Sequence, residues 1–253
     1  TRVALRVLYA QFRAITYVGA ANREYFSTLG VPTRRLFFAP HAVNHEFFDP
    51  GRPEPQAEAR RLRDELGIAP GTRVVVFAGK LVPSKQPRQL LAAFAALRPE
   101  SAALVFVGDG EEKSALVKDA RLARPGSVHF LPFANQTQMP ARYLLGDVFA
   151  LPSKGYYETW GLAVNEAMHM GVPALVSDLV GCQQDLVTDQ KTGWVFRAND
   201  PDHLRDRLAA ALRADLQPFR KRVAYRIAHY TYAQATEGLM RALAAAAPVG
   251  AGA

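Results

Sequence analysis

Glu158 and Glu166 stand eight residues apart in Glu158-Thr159-Trp160-Gly161-Leu162-Ala163-Val164-Asn165-Glu166. The second carboxylate lies in a stretch otherwise almost wholly apolar (Leu162, Ala163, Val164, Ala167, Met168, Met170), where an unpaired charge is costly to bury. It needs a partner. Ser153-Lys154-Gly155 reads as the end of a strand and Gly161 as the opening of a helix. The N–H groups of Trp160, Gly161 and Leu162 are then expected to point outward as an anion site. Glu158 falls in the loop before that helix and Glu166 about a turn and a half inside it, so their roles must differ.

A second chemical feature is the turn Gly79-Lys80-Leu81-Val82-Pro83-Ser84-Lys85, which follows an apolar run. Two lysines at the carboxyl end of a strand can neutralise a diphosphate as point charges. A solvated surface loop accounts for the same two residues. Gly108-Asp109-Gly110 ends another run, and its glycines permit either close backbone approach to a ligand or a plain tight turn. His41 and His45 are four apart but lie beside Pro40 with no third ligand at metal spacing, so no metal site is expected. His129 reads as a partly buried strand residue.

These groups need a frame to hold them, and the apolar runs supply one. Runs at 74–79, 103–108, 128–131, 148–152, 174–177 and 194–196 are continuous rather than alternating, as in strands buried on both faces of a parallel sheet. The segments 86–97, 111–123, 137–145 and 161–171 suit crossover helices. The expected fold is α/β, a doubly wound parallel sheet of six strands. Residues 1–50 differ: a helical stretch, a strand at 14–19, a helix at 21–29 and a strand at 35–40. Two strands cannot form a core alone, so this piece is expected to belong to a domain whose greater part lies elsewhere. Residues 49–55, rich in Pro and Gly, read as a linker, and 244–253 as a low-complexity tail after three helical segments beyond residue 200.

The 253 residues, 49% hydrophobic and 21% charged, exclude a disordered chain. Arg2, Arg6 and Arg13 interrupt the first apolar run, leaving neither a secretory leader core nor a membrane span there. The first residue is Thr, so an upstream part is expected. The lone Cys182 rules out an intramolecular disulfide and fits a reducing, cytoplasmic compartment. A net charge of +8 admits nucleic acid, an anionic membrane surface or a phosphorylated ligand. Most arginines, however, alternate with apolar residues in helical stretches such as 60–66 and 220–226, which reads as solvated helix faces, with a peripheral membrane patch as the alternative. Nucleic acid is not expected, because no basic strand face carries interleaved aromatics.

Taken together, these motifs resemble the C-terminal domain of the retaining two-domain, double-Rossmann (GT-B) glycosyltransferases, in the group 1 or family 4 set that includes sucrose synthase and bacterial mannosyl- and glucosyltransferases. The resemblance runs over residues 36–245. It rests on the G-K-L-x-x-x-K turn of Gly79 to Lys85, the V-G-D-G turn of Val107 to Gly110, and the E-x7-E motif with A-M-x-x-G-x-P that ends at Pro173. Two departures stand out: Lys80 where the family more often has Arg, and Gln86 where it has Gly. The first loses bidentate binding.

The resemblance implies a donor-binding domain over 51–230, a remnant of the N-terminal acceptor domain over 1–50, and a helix after Thr231 that crosses back. It implies that Lys80 and Lys85 hold a donor diphosphate beside Gly79 and Gly108, that Glu158 meets the donor sugar near the reacting carbon, and that Trp160, Gly161 and Leu162 touch sugar and phosphate. Glu166 is expected on the ribose diol, and Phe133 and Ala134 at the base. Lys80, Lys85 and Glu158 are the catalytic candidates. The donor is then a nucleoside diphosphate sugar, with no cofactor and no metal. The acceptor, a glycan, lipid-linked or small-molecule hydroxyl, comes through the upstream domain, where the family also places a cleft histidine. A nucleotide-sugar epimerase, a glycan phosphorylase or a nucleotide-sugar-binding module without activity share the fold.

Overall fold

The computed structural model describes residues 1–155 and 158–247; the end of the low-complexity tail, 248–253, lies outside them. The chain divides into two compact units, His45–Ala228 and the combination of Thr1–Asn44 with His229–Ala253.

In the smaller unit, α1 (Arg2–Ala10), β1 (Ile15–Tyr17), α2 (Ala20–Thr28) and β2 (Leu36–Phe38) precede the division, and α11 (Tyr232–Ala246) follows it. β1 and β2 pair in parallel from Ile15↔Leu36 to Tyr17↔Phe38. Phe26, Val31 and Leu36 form a small buried cluster with Tyr9, Ile15 and Tyr17 against it. Helix α11 lies so close to β2 that a Cβ on Gly238 would stand 1.8 Å from the Phe38 carbonyl oxygen.

The larger unit carries α3 (Pro53–Glu65), β3 (Arg73–Ala78), α4 (Pro87–Leu97), β4 (Ala102–Val107), α5 (Lys113–Asp119), β5 (Val128–Leu131), α6 (Met139–Leu145), β6 (Val148–Leu151), α7 (Leu162–His169), β7 (Ala174–Ser177), α8 (Gln183–Leu186), β8 (Gly193–Phe196), α9 (Pro201–Arg213) and α10 (Gln217–Ile227). Its six strands are all parallel, in the order β5-β4-β3-β6-β7-β8. The order reverses between β3 and β6, the topological switch point where doubly wound sheets bind ligands. Side chains alternate across the sheet as the two-residue period requires. Val75, Phe77, Leu104, Phe106 and Trp194 join Leu90, Phe94, Leu204 and Leu208 of α4 and α9 in one core. On the opposite face Phe149 meets Tyr143 of α6 edge to face, with centroids 5.5 Å apart.

Three expectations need correction. The segment 49–55 is not linker throughout: α3 begins at Pro53, whose missing N–H costs nothing at the first helical position. Strand β5 is half-buried along its length and not covered on both faces, unlike β8 at the other edge, which is nearly all buried. Nor are all of the helical arginines solvated: Arg60, Arg61, Arg220 and Arg222 are exposed as expected, but Arg63 and Arg226 are half-buried. Arg63 donates to the Leu145 and Thr72 carbonyls and pairs with Asp147 at 3.1 Å, while Arg222 and Arg226 donate to the Lys191 and Asp185 carbonyls. These guanidiniums fasten helices to strand-connecting loops.

Candidate functional site

A cavity of about 590 Å³ opens at the carboxyl ends of β3 and β4, beside the switch point. It gathers Gly79, Lys80, Gly108, Phe133, Ala134 and Glu166 from the sequence expectations, and adds Asp109, Met139, Tyr143 and Ala163. The floor is tight because two glycine turns interlock. A Cβ on Gly108 would lie 2.1 Å from the Gly79 carbonyl oxygen, and one on Gly110 would lie 2.4 Å from that of Leu81. Gly108 also has φ +139°, a conformation L side chains rarely adopt. The V-G-D-G turn is therefore required by backbone packing, whatever it touches in a ligand.

Lys80 is exposed at the cavity, and its ammonium makes no ion pair or hydrogen bond among the described residues. Lys85 is committed. Its ammonium lies 2.5 Å from Glu158 Oε2, with the two side chains 26% and 15% exposed, and the Ser153 hydroxyl donates to the same oxygen at 3.0 Å. The Lys85 stem runs beside Gly79, where an added Cβ would meet its Cδ at 3.4 Å. The lysine turn and the first glutamate thus form one charge-compensated group next to the cavity. Gln86, where the resemblance expects glycine, has φ 54° and ψ 39° and caps α4 from the left-handed region.

The loop carrying Glu158 is held from behind. Gly181 N–H donates to the Glu158 carbonyl at 3.0 Å and Cys182 N–H to that of Trp160 at 2.8 Å. A Cβ on Gly181 would collide with the Thr159 carbonyl oxygen at 1.9 Å, so only glycine lets this strap lie there. Trp160 does not line the cavity: its indole is buried and its Nε1 donates to Asn165 Oδ1 at 2.8 Å, tying loop to helix. Gly161, at φ +98°, turns the chain into α7. Of the expected donors, Gly161 and Leu162 do not line the cavity; their N–H groups and that of Ala163, which does, find no partner among the described residues at the start of α7.

Glu166 lines the cavity, and its Oε2 accepts from the Tyr143 hydroxyl at 2.6 Å. Burial raises its pKa above the ordinary carboxylate value, and the Tyr143 hydrogen bond partly offsets the rise. Burial, and then the Glu166 charge, push the Tyr143 phenol well up, so it stays a donor. The sequence demanded a partner for Glu166 but could not name it, because Tyr143 lies 23 residues away in α6 with no local motif. Ser153 was visible only as the end of a strand.

These features have known counterparts. The profile described as glycosyl transferases group 1 matches residues 58–229. A D-inositol 3-phosphate glycosyltransferase of Nocardia farcinica is 34% identical over 247 residues, covering 92% of this chain and 52% of its own length. A GDP-mannose-dependent alpha-(1-6)-phosphatidylinositol monomannoside mannosyltransferase of Mycobacterium tuberculosis is 32% identical over 209 residues, 78% of this chain and 52% of its own. Among solved structures, the Anabaena protein HepE in complex with UDP and glucose superposes with a TM-score of 0.74 at 20% identity, over 96% of this chain and 66% of that one. Sucrose-phosphate synthase of Thermosynechococcus elongatus gives 0.72 at 22%, over 97% and 62%. The chain belongs to the group 1 glycosyltransferases, with the GT-B fold for its Rossmann-like half. It spans about half the length of the curated relatives it matches.

Proposed function

We propose that this chain is the donor-binding part of a retaining glycosyltransferase that moves a sugar from a nucleoside diphosphate to an acceptor hydroxyl in glycan or glycolipid synthesis. The observation that carries the reading is the cavity at the switch point, with an uncommitted cation, Lys80, and a half-buried carboxylate, Glu166, on its walls. A nucleoside diphosphate asks for that combination: donors for phosphate, acceptors for the ribose hydroxyls.

In this reading Glu166 accepts from the ribose diol, while Phe133, 74% exposed at the cavity, and Ala134 flank the base. Lys80 and the N–H groups at the start of α7 meet the diphosphate. Glu158, fixed by Ser153 and Lys85, faces the sugar. The acceptor oxygen forms its bond to the anomeric carbon as the bond from that carbon to the phosphate oxygen breaks, and the departing phosphate takes the acceptor proton on the same face. The residues contribute positioning and stabilise the departing charge, the work a metal would otherwise do.

The two named relatives point to phosphorylated polyol and glycolipid acceptors, and we extend that class to this protein, with the acceptor bound by the part of such enzymes that this chain does not span. No described helix is long and apolar enough to cross a membrane. The test compares this chain with its full-length parent on a panel of UDP, GDP and ADP sugars. Nucleotide binding by both and transfer by the parent alone is expected. Robust turnover by the 253-residue chain would overturn the division of labour, and no transfer by the parent would favour a binding module.

A further inference from the structure

We propose that Tyr143 is a positioning residue for the donor site: its hydroxyl, held from the core side of α6, fixes one oxygen of the Glu166 carboxylate so that the other meets the adjacent hydroxyls of the donor nucleoside. The inference rests on the donor reading above and goes beyond it by naming the residue that sets the carboxylate's direction.

The geometry is unusual for a merely structural tyrosine. Tyr143 is 1% exposed, its ring locked edge to face on Phe149 and 6.3 Å from Phe48, yet it also lines the cavity that Glu166 lines. A buried phenol needs a hydrogen-bond partner, and a ring packed on two aromatics has no freedom to seek another. The carboxylate at the other end keeps acceptor positions free for the cavity. An ionised carboxylate offers about four acceptor positions, and Tyr143 is the side chain that fills one of them. A single neutral donor lets burial dominate and hold the carboxyl above its ordinary range. Glu166 is half-buried, so the remaining positions are open to the cavity, where a ligand's hydroxyls can take the place of water. A ribose diol brings two. The other titratable groups that bear on this space are Lys80 and Asp109 on the cavity wall, and His169 on α7, which sits against His45.

The experiment uses Tyr143→Phe, which keeps the ring and deletes the donor, alongside Glu166→Gln and the double variant. Two quantities are read: the titration of the Glu166 carboxyl by carbon-13 NMR without ligand, and the affinity of uridine, guanosine and adenosine. In Tyr143→Phe the Glu166 titration is expected to move further up, and the affinity of whichever nucleoside the wild type prefers to fall about tenfold. In the Glu166→Gln background, adding Tyr143→Phe changes affinity much less. Unchanged affinity in Tyr143→Phe, with the wild type binding, overturns the positioning role alone. A loss of affinity with an unmoved Glu166 titration overturns it too, since the tyrosine then acts through packing. A wild type that binds none of the nucleosides overturns the donor reading and this inference with it.

Discussion

Lys85 and Glu158 neutralise one another before any ligand arrives, and that pairing decides what each substitution does. Lys85→Ala leaves a mostly buried carboxylate with Ser153 alone, and thermal unfolding should show a loss of about 1–3 kcal/mol. Glu158→Gln has the opposite sign for the nucleotide. It frees the ammonium, so nucleoside diphosphate affinity should hold or rise a few-fold in calorimetry while transfer by the full-length parent collapses. A parallel loss of both would show that Glu158 supports the nucleotide pocket itself. Glu166 carries a pH signature. Its folded-state value is raised by burial above the ordinary 4.5, so the protonated form is the one the fold favours. The stability this contributes is complete below the unfolded value and is lost as pH rises through the folded one. Glu166→Gln should therefore be as stable as wild type or more stable at neutral pH, yet bind nucleoside more weakly, a stability gain at the cost of function. Nucleoside affinity in the wild type should fall on acidification from a point above 4.5, as the acceptor is protonated.

At the scale of elements, the site is built where turns interlock, and the glycines report it. Gly108→Ala drives a methyl into the Gly79 carbonyl oxygen from a backbone angle that already disfavours it. A loss of about 2 kcal/mol or more, with the nucleotide pocket disturbed, is expected from denaturant unfolding. Gln86 tests the converse. Its left-handed backbone costs a non-glycine residue about 1–2 kcal/mol, so Gln86→Gly should leave stability unchanged or raise it, whereas β-branched Gln86→Val should lower it. Much of this was legible in the sequence. Six strands could be read because five are covered on both faces and appear as unbroken Val, Leu and Phe runs, and the edge strand β5 was misjudged for want of such cover. Pro53 was taken for a breaker because Pro and Gly punctuate both loops and helix starts, and only capping geometry separates the two. The glycine turns were visible as motifs, but the carbonyl oxygens that exclude a side chain come from a neighbouring strand's loop. Tyr143 was invisible for the same reason, its partner being reachable only through the fold.

For the whole molecule, the formal charge of +8 is a net figure that already counts every Asp and Glu, and several of its arginines are held in place by the fold. Arg63, Arg222 and Arg226 donate to backbone carbonyls, Arg61 pairs with Glu58 and Glu65, and Arg220 with Asp147, which fixes these side chains while their charge remains. A chain that held nucleic acid through this charge would lose affinity steeply with salt. The donor reading needs a single local cation and little long-range field, so nucleotide preference should survive raised salt. The same economy gives the central claim its most direct test, because the Lys80 ammonium at the cavity has no partner among the described residues, while Glu166 is bonded to Tyr143 and Asp109 to Lys113. Calorimetry of the wild-type chain and Lys80→Ala against the preferred nucleoside diphosphate and its free nucleoside separates phosphate recognition from everything else. The account predicts that the wild type binds the diphosphate more tightly than the nucleoside. It also predicts that Lys80→Ala weakens the diphosphate by about 1.5–3 kcal/mol and leaves the nucleoside unchanged. Equal affinities for the two ligands in the wild type, or an equal loss of both in Lys80→Ala, would contradict it.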